Sequence, residues 1–384
     1  LPICRPGQPL GPGPQEFTQA PLYYLIGALL IAPIDTSNAS DFFIPRPQAP
    51  IGRADRMGPK NGWEIRGRRD FPWTQTRLAL SILRLWSMLL GLGTLLLISA
   101  LARRIGPPGR AREALALAWV ALNPMFLFIA NAVNNDNLII FCATATLFAW
   151  HRARAPQAGP GADLLAGFAL GCALLAKASG ILLVPIAALA YAGARRPHAL
   201  RWRGLALCGL TALLIAAPWF IWNAVHYGDP LGLSIHKAFA HLRPEPRTWA
   251  LIQEASGFIK SYWGVFGMFN VIYSDGVYGM FYGLTAMAVA VIGVARWRRQ
   301  QSGDLPDILI AFSLLTLLGV ALWTRTVWAS QGRLMFPALG FHALLVAGSF
   351  DALPRPLRRI AAVALPLLLG GAALWAALVI IPAA

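Results

Sequence analysis

The chain has 384 residues, 57% of them hydrophobic and only 13% charged. A soluble domain carries about 25% charged residues, and here the deficit falls in blocks, which excludes a water-soluble fold. A net charge of +17 would suit a nucleic-acid binder, but the basic residues lie in short loops between apolar runs. That pattern is membrane topology, so no nucleic-acid partner is expected. The fold class is all-α: a polytopic integral membrane protein of about ten transmembrane helices, with juxtamembrane helices on the outer face.

Residues 1–79 form the first segment. It opens Leu1-Pro2 in a Pro/Gly-rich polar stretch with no signal-peptide pattern. Carrying such a stretch across a bilayer needs a helix before it, so upstream residues with a first membrane helix are expected. Glu16 is the only acid before residue 35, and Gln19-Ala-Pro-Leu-Tyr23-Tyr24 follows it. Glu16 is a candidate catalytic acid, and Gln19 and Tyr23 are candidate substrate contacts; the alternative is a solvated turn and a helix start. Residues 21–34 are apolar, but as a helix they reach only about 21 Å, too short for a ~30 Å hydrocarbon core. The segment reads as an outer-face juxtamembrane or re-entrant helix with Pro21 in its first turn.

Spanning helices are expected at 80–102, 114–133, 137–150, 164–176, 178–194 and 204–223, a first bundle covering 80–223. A second outer segment, 224–276, follows. The C-terminal helices, at 277–295, 308–323, 334–350 and 360–381, occupy 277–384. Helices 137–150, 164–176 and 308–323 are short for a bilayer. Arginines mark alternate connections: Arg103 to Arg112, Arg152 and Arg154, Arg195 to Arg203, Arg296 to Arg299, and Arg355 to Arg359. The positive-inside rule makes these loops cytoplasmic. The parity then requires a break at Lys177-Ala-Ser-Gly180 rather than one long helix. It also leaves 1–79 and 224–276 together outside. Their aromatic density argues for ordered layers on the membrane surface.

Polar groups at the mouth of a bilayer are costly and so are functional candidates. Asn131-Ala-Val-Asn134-Asn135-Asp136-Asn137 crowds amides and an acid into one outer turn. Asp136 is the main catalytic candidate and Asn135 a substrate contact; the alternative for Asp136 is a helix N-cap. Pro124, two turns earlier, is placed to kink the incoming helix. Lys177 can hold an anionic headgroup or snorkel to the interface. In Gln331-Gly332-Arg333, an arginine at a helix start opposes the dipole, which suggests retention for an anion that a guanidinium can grip with two bonds. Gln331 stands with it as a substrate contact. His342 reads as a packed, hydrogen-bonded histidine. Gly167-x-x-x-Gly171 and Gly91-x-Gly93 read as close helix packing, and Trp219, Trp222, Trp323 and Trp328 as interface anchors. No P-loop, HExxH or nucleophile elbow is present. The cysteines show no metal spacing and no disulfide framework. No cofactor is implied, and the sequence gives no support for a divalent metal.

Gln-Ala-Pro-Leu-Tyr-Tyr24, Arg84-Leu-Trp-Ser-Met-Leu-Leu-Gly91, Asn134-Asn-Asp-Asn-Leu138, Lys177-Ala-Ser-Gly180, Tyr227-Gly-Asp-Pro230 and Gln331-Gly-Arg-Leu-Met-Phe-Pro337 occur in this order. Together they resemble the bacterial GT-C membrane glycosyltransferases, the superfamily of the protein O-mannosyltransferases and the lipid A aminoarabinose transferase. The resemblance implies an enzyme that moves a hexosyl or pentosyl group from a polyprenyl-phosphate donor. The acceptor, a glycan, lipid or protein, would be reached from the periplasmic face of a bacterial inner membrane, with membrane lipids around the chain. It implies that Asp136 is the second outer-loop acid and that Lys177 and Arg333 are phosphate-side positives. The family's main acid lies soon after a first helix, upstream of this sequence. A lipid-linked sugar flippase or other transporter is the first rival, but no repeat halves are evident. A non-catalytic membrane scaffold is the second.

Overall fold

The computed structural model describes residues 18–46, 49, 52, 60–66, 71–105, 110–240, 242–298 and 304–381. In chain order the first elements are α1 (Leu22–Ile31), α2 (Ala39–Phe42), β1 (Phe43–Pro45) and β2 (Trp63–Ile65). The bundle follows as α3 (Gln75–Arg104), α4 (Arg110–Ala121), α5 (Pro124–Ala130), α6 (Asp136–Ala153), α7 (Pro160–Ala176), α8 (Leu183–Ala192) and α9 (His198–Tyr227). Then come α10 (Leu233–Phe239), α11 (Ala250–Gln253), α12 (Ala255–Trp263), β3 (Val265–Phe266) and β4 (Val271–Ile272). The last helices are α13 (Asp275–Trp297), α14 (Asp304–Thr324), α15 (Leu339–Ser349) and α16 (Arg355–Trp375). Short 3-10 turns at 178–182 and 332–338 lead into α8 and α15. The strands form two antiparallel ribbons in the connecting segments.

Every segment expected to span is helical. Among the described residues six helices are long and apolar enough to cross a membrane, within α3, α9, α13, α14, 332–352 and 355–380. A seventh appears if the bent pair α4–α5 is one span. Its bend is 63° and falls where expected: Pro124 is the first residue of α5, and Asn123 caps it by accepting from the Met125 and Phe126 N–H groups. Helices 160–176 and 178–192 are apolar but shorter. The helix expected at 21–34 is shorter than its apolar run, Leu22–Ile31, with Pro21 immediately before it.

The break at Lys177 is real. α7 ends at Ala176, Lys177 is fully extended (φ −162°, ψ 149°), and the chain restarts at Ala178. The glycine motifs pack closely. A Cβ on Gly167 would lie 2.5 Å from the Cys208 carbonyl oxygen of α9, and one on Gly93 would lie 2.8 Å from the Phe141 ring of α6. Cys142, Cys172 and Cys208 are free thiols.

Several of the arginines counted for topology are fixed by acids and carbonyls at the helix ends. Arg196 pairs with Asp163 at 2.7 Å and donates to the Ala153 carbonyl at 3.1 Å. Arg154 donates to the Ala190 and Gly193 carbonyls, and Arg112 pairs with Asp351. The length of α6, about 27 Å, separates the Arg154–Arg196 cluster from Asp136. The two ends of the bundle therefore differ in chemistry.

Candidate active site

The asparagine-rich turn is mostly a self-stapling device. Asn137 is 2% exposed, and its amide donates to the carbonyls of Ile129 (2.9 Å), Ala132 (3.1 Å) and Asn134 (3.2 Å). This satisfies the carbonyls left open where α5 ends. Asn134 Oδ1 accepts the Asp136 N–H at 2.7 Å. Asn135 Nδ2 donates to Gln19 Oε1 and to the Ala176 carbonyl. The amides thus tie α5, α6, α7 and the segment before α1 into one junction.

The N-cap alternative for Asp136 is overturned. The cap position belongs to Asn135, with no side-chain cap bond, and Asp136 is the first residue inside the helix. Its side chain is 6% exposed and pairs with Lys177 Nζ across the α7 break. Asp136 still benefits from the helix N-terminus, where a carboxylate is favoured by the dipole. Its geometry is set by the lysine rather than by capping.

Arg333 arrives from a third direction. Its Nε donates to Gln331 Oε1 at 3.0 Å, and its guanidinium lies 4.9 Å from the Phe269 ring centroid. It is close enough to Asp136 to act on that carboxylate through space. Gly332 makes this placement possible. A Cβ there would lie 2.1 Å from the Phe258 carbonyl oxygen, and the Gly332 N–H donates to Ser261 Oγ at 2.7 Å. The turn is pressed against α12, which aims its neighbours Gln331 and Arg333 the other way.

These groups share one cavity of about 420 Å³. Gln19, Asn135, Asp136, Lys177, Gln331 and Arg333 all line it. Apolar groups line it as well: Thr316, Gly319, Val320 and Trp323 form one stripe of α14, and Gly319 packs close to Leu182. Leu314, Leu318 and Leu322 lie exposed on α14 away from that stripe. The helix therefore turns one face to the cavity and leaves another for lipid. A smaller cavity adjoins it, sharing Gln19, Lys177 and His236.

Two sequence expectations change here. Tyr23 does not line the cavity. It is 1% exposed, bonds Ser87 Oγ at 2.7 Å and accepts the Asn134 N–H at 3.0 Å, so it supports the asparagine turn from below. Trp323 and Trp328, read as interface anchors, are cavity-wall residues. Glu16 lies outside the described residues. His342 is packed as expected, 3.1 Å from the Tyr262 hydroxyl.

His236 escaped sequence reasoning. It lies on α10, bonds Thr18 Oγ1 at 2.7 Å, and its ring tilts against Trp323 at 5.5 Å. Burial, helped by the charge of Lys177, pushes its pKa down to about 4, so it is neutral at pH 7. The available signal was the Gly228-Asp-Pro-Leu-Gly232 turn before it. Asp229 accepts the Leu231 and Ser234 N–H groups at 3.0 and 2.8 Å and so starts α10 at a fixed angle. At the rim, Arg243 holds Glu254 with two bonds of 2.9 and 2.7 Å and lies 4.1 Å from the Trp328 ring centroid. Among the described residues, no group of three or more His, Cys, Asp or Glu side chains is placed to hold a metal.

Residues 79–222 match the family model "Dolichyl-phosphate-mannose-protein mannosyltransferase". The chain overlays the crystal structure of ArnT from Cupriavidus metallidurans bound to undecaprenyl phosphate with a TM-score of 0.54, over 94% of this chain, at 16% identity. The chain has the GT-C fold. Weaker overlays reach apo ArnT from the same organism (TM-score 0.48, 19% identity, 71% of this chain and 45% of that one) and arabinofuranosyltransferase AftD from Mycobacteria (0.46, 17%, 77% and 20%). The chain spans about half the length of ArnT, 55% in the lipid-bound structure. No curated protein sequence matches it. The matched family segment runs from α3 to α9 and so includes Asp136 and Lys177, while Arg333 lies beyond it.

Proposed function

We propose that this integral membrane protein is a glycosyltransferase that moves a sugar from a polyprenyl-phosphate donor to an acceptor hydroxyl, with its cavity on the outer, periplasmic face of a bacterial inner membrane. The observation that carries the reading is the cavity's composition. One acid and two cations share the cavity with an apolar helix stripe. An amphipathic donor with a phosphate head and a prenyl tail has this polarity. The fold it shares with ArnT, whose bound ligand is undecaprenyl phosphate, supports the same assignment. The basic loops at the far end of α6 support an outer site through the positive-inside rule. Residues 1–79 and 224–276 then form the outer layer over the bundles 80–223 and 277–384.

In this reading the acceptor hydroxyl attacks the anomeric carbon and forms the new C–O bond. The bond from that carbon to the phosphate oxygen breaks, and its electron pair leaves with the phosphate. The hydroxyl proton passes to the Asp136 carboxylate. Charge stays balanced throughout. Before transfer, Lys177 and Arg333 offset Asp136 and the donor's single phosphodiester charge. Afterwards Asp136 is neutral and the two cations offset a doubly charged phosphate. Cations held at the phosphate, where negative charge grows as the bond breaks, favour the transition state over the ground state. Asn135, Gln19 and Gln331 orient the sugar or headgroup.

The test is a transfer assay with the full chain in lipid nanodiscs and a panel of labelled polyprenyl-phosphate sugars. Label should appear on an acceptor with wild type and vanish with Asp136→Asn. Donor binding without transfer by any acceptor class would replace the enzyme with a carrier, and equal access from both faces would indicate a flippase.

A further inference from the structure

Asp136 and Lys177 are paired where both line the cavity. The lysine is the extended residue at the break between helices (φ −162°, ψ 149°), its N–H and carbonyl bonded to Ala173 and Gly180, but its ammonium rides on a flexible four-carbon stem and its side chain is 23% exposed against 6% for the acid. The acid is rigid: it begins α6, and its N–H is held by Asn134. The cation is therefore the mobile partner. Arg333 cannot substitute for it easily, because Gln331 and Phe269 hold the guanidinium on its own side.

Resting on the donor reading above, we infer that Lys177 is an exchangeable cation. Without a donor it neutralises Asp136, as the ion pair between them shows. When a phosphate enters, Lys177 swings from the carboxylate to the phosphate, joining Arg333. The exchange leaves Asp136 without its cation only when donor is bound, so the group becomes a stronger proton acceptor at the moment it is needed. No covalent bond changes in this step; one ion pair is traded for another in a partly desolvated site, where such pairs are strong.

The exchange makes an unusual prediction. Asp136 competes with the phosphate for Lys177, so removing the carboxylate should tighten donor-head binding even as it abolishes turnover. Farnesyl phosphate, titrated into the full chain in detergent by calorimetry, is the probe, with farnesol as the uncharged control. Asp136→Asn, and Asp136→Ser as a second variant should the first fold poorly, should bind farnesyl phosphate on the order of 10-fold tighter, within the usual range for coupled sites. Farnesol binding should not change. In a Lys177→Met background the gain should disappear, because no lysine is left to release. If the gain persists in that background, Asp136 acts by simple repulsion and the exchange is overturned. No gain in either acid variant, both folded, overturns it too. If wild type shows no preference for farnesyl phosphate over farnesol, the lipid-phosphate reading itself falls, which is a different result.

Discussion

Asp163 on α7 and Arg196, just before α9, form a two-bond ion pair that is almost wholly removed from water, at 2.7 and 3.2 Å with side-chain exposures of 1% and 4%. The Tyr191 hydroxyl donates to the same carboxylate at 3.0 Å. The cluster locks α6, α7, α8 and α9 at the end of the bundle opposite the cavity. Breaking a buried pair from one side leaves an uncompensated charge and costs about 3–5 kcal/mol. Asp163→Ala should therefore lower the melting temperature in detergent sharply, whereas Asp163→Ala combined with Arg196→Leu should recover part of the loss. An unchanged melting curve for the single variant would refute this role.

Gly332 sets the position of Arg333 by close approach to α12. Gly332→Ala forces a methyl against the Phe258 carbonyl, and overpacking of this kind costs about 1–3 kcal/mol. The expected outcome is a folded but less stable protein whose transfer activity falls more than its expression. Full activity would mean that the turn can shift without moving Arg333.

Gln331 and Phe269 hold the Arg333 guanidinium, which on the proposed reading grips the donor phosphate with two bonds. Arg333→Ala should raise the donor KM well above that of wild type, and Arg333→Lys should recover only part, since an ammonium lacks the fork. Asp136→Asn should act differently, lowering kcat by about 10²–10⁴-fold with a smaller loss of melting temperature than Asp163→Ala, because Lys177 keeps 23% of its side chain exposed. Equal effects on kcat and KM for all three variants would argue against separate roles.

His236 gives the protein a pH signature. Its folded pKa, about 4, is below the model-compound value of 6.5, chiefly through burial and secondly through Lys177. Between these values the unfolded chain binds more protons than the folded one, so stability rises with pH. The contribution is complete above about pH 6.5 and is lost as the pH falls toward 4. Melting temperature should drop between pH 7 and 5, and His236→Gln should flatten that dependence. Glu254 acts below this window. Hydrogen bonds from Arg243 hold its carboxyl below the usual value of 4.5 against the opposing effect of burial, so its contribution is present above 4.5 and fades below it. A wild-type slope in His236→Gln would show that other groups carry the pH dependence.

The helices were legible in the sequence because their cause is local. A run of apolar residues without charge has one stable form in hydrocarbon; Pro124 marked one break by its backbone chemistry, and the parity of the charged loops required the other at Lys177-Ala-Ser-Gly180. Charge alternation placed Asp136, Lys177 and Arg333 toward one end without any contact being known. The remainder depended on tertiary packing. Asp136 could equally have capped its helix, and only the return of α7 against α6 brought Lys177 to it. Tyr23 read as a substrate contact because aromatic residues before a surface helix are ambiguous; its hydroxyl was claimed by Ser87 and Asn134 from elements far away in sequence. Trp323 and the α14 stripe carry no local signature, and the turn before His236 marks a helix start but not the histidine's role. A hydrophobic residue facing lipid and one facing a cavity look alike in one dimension, because both surroundings are apolar until a neighbouring helix separates them.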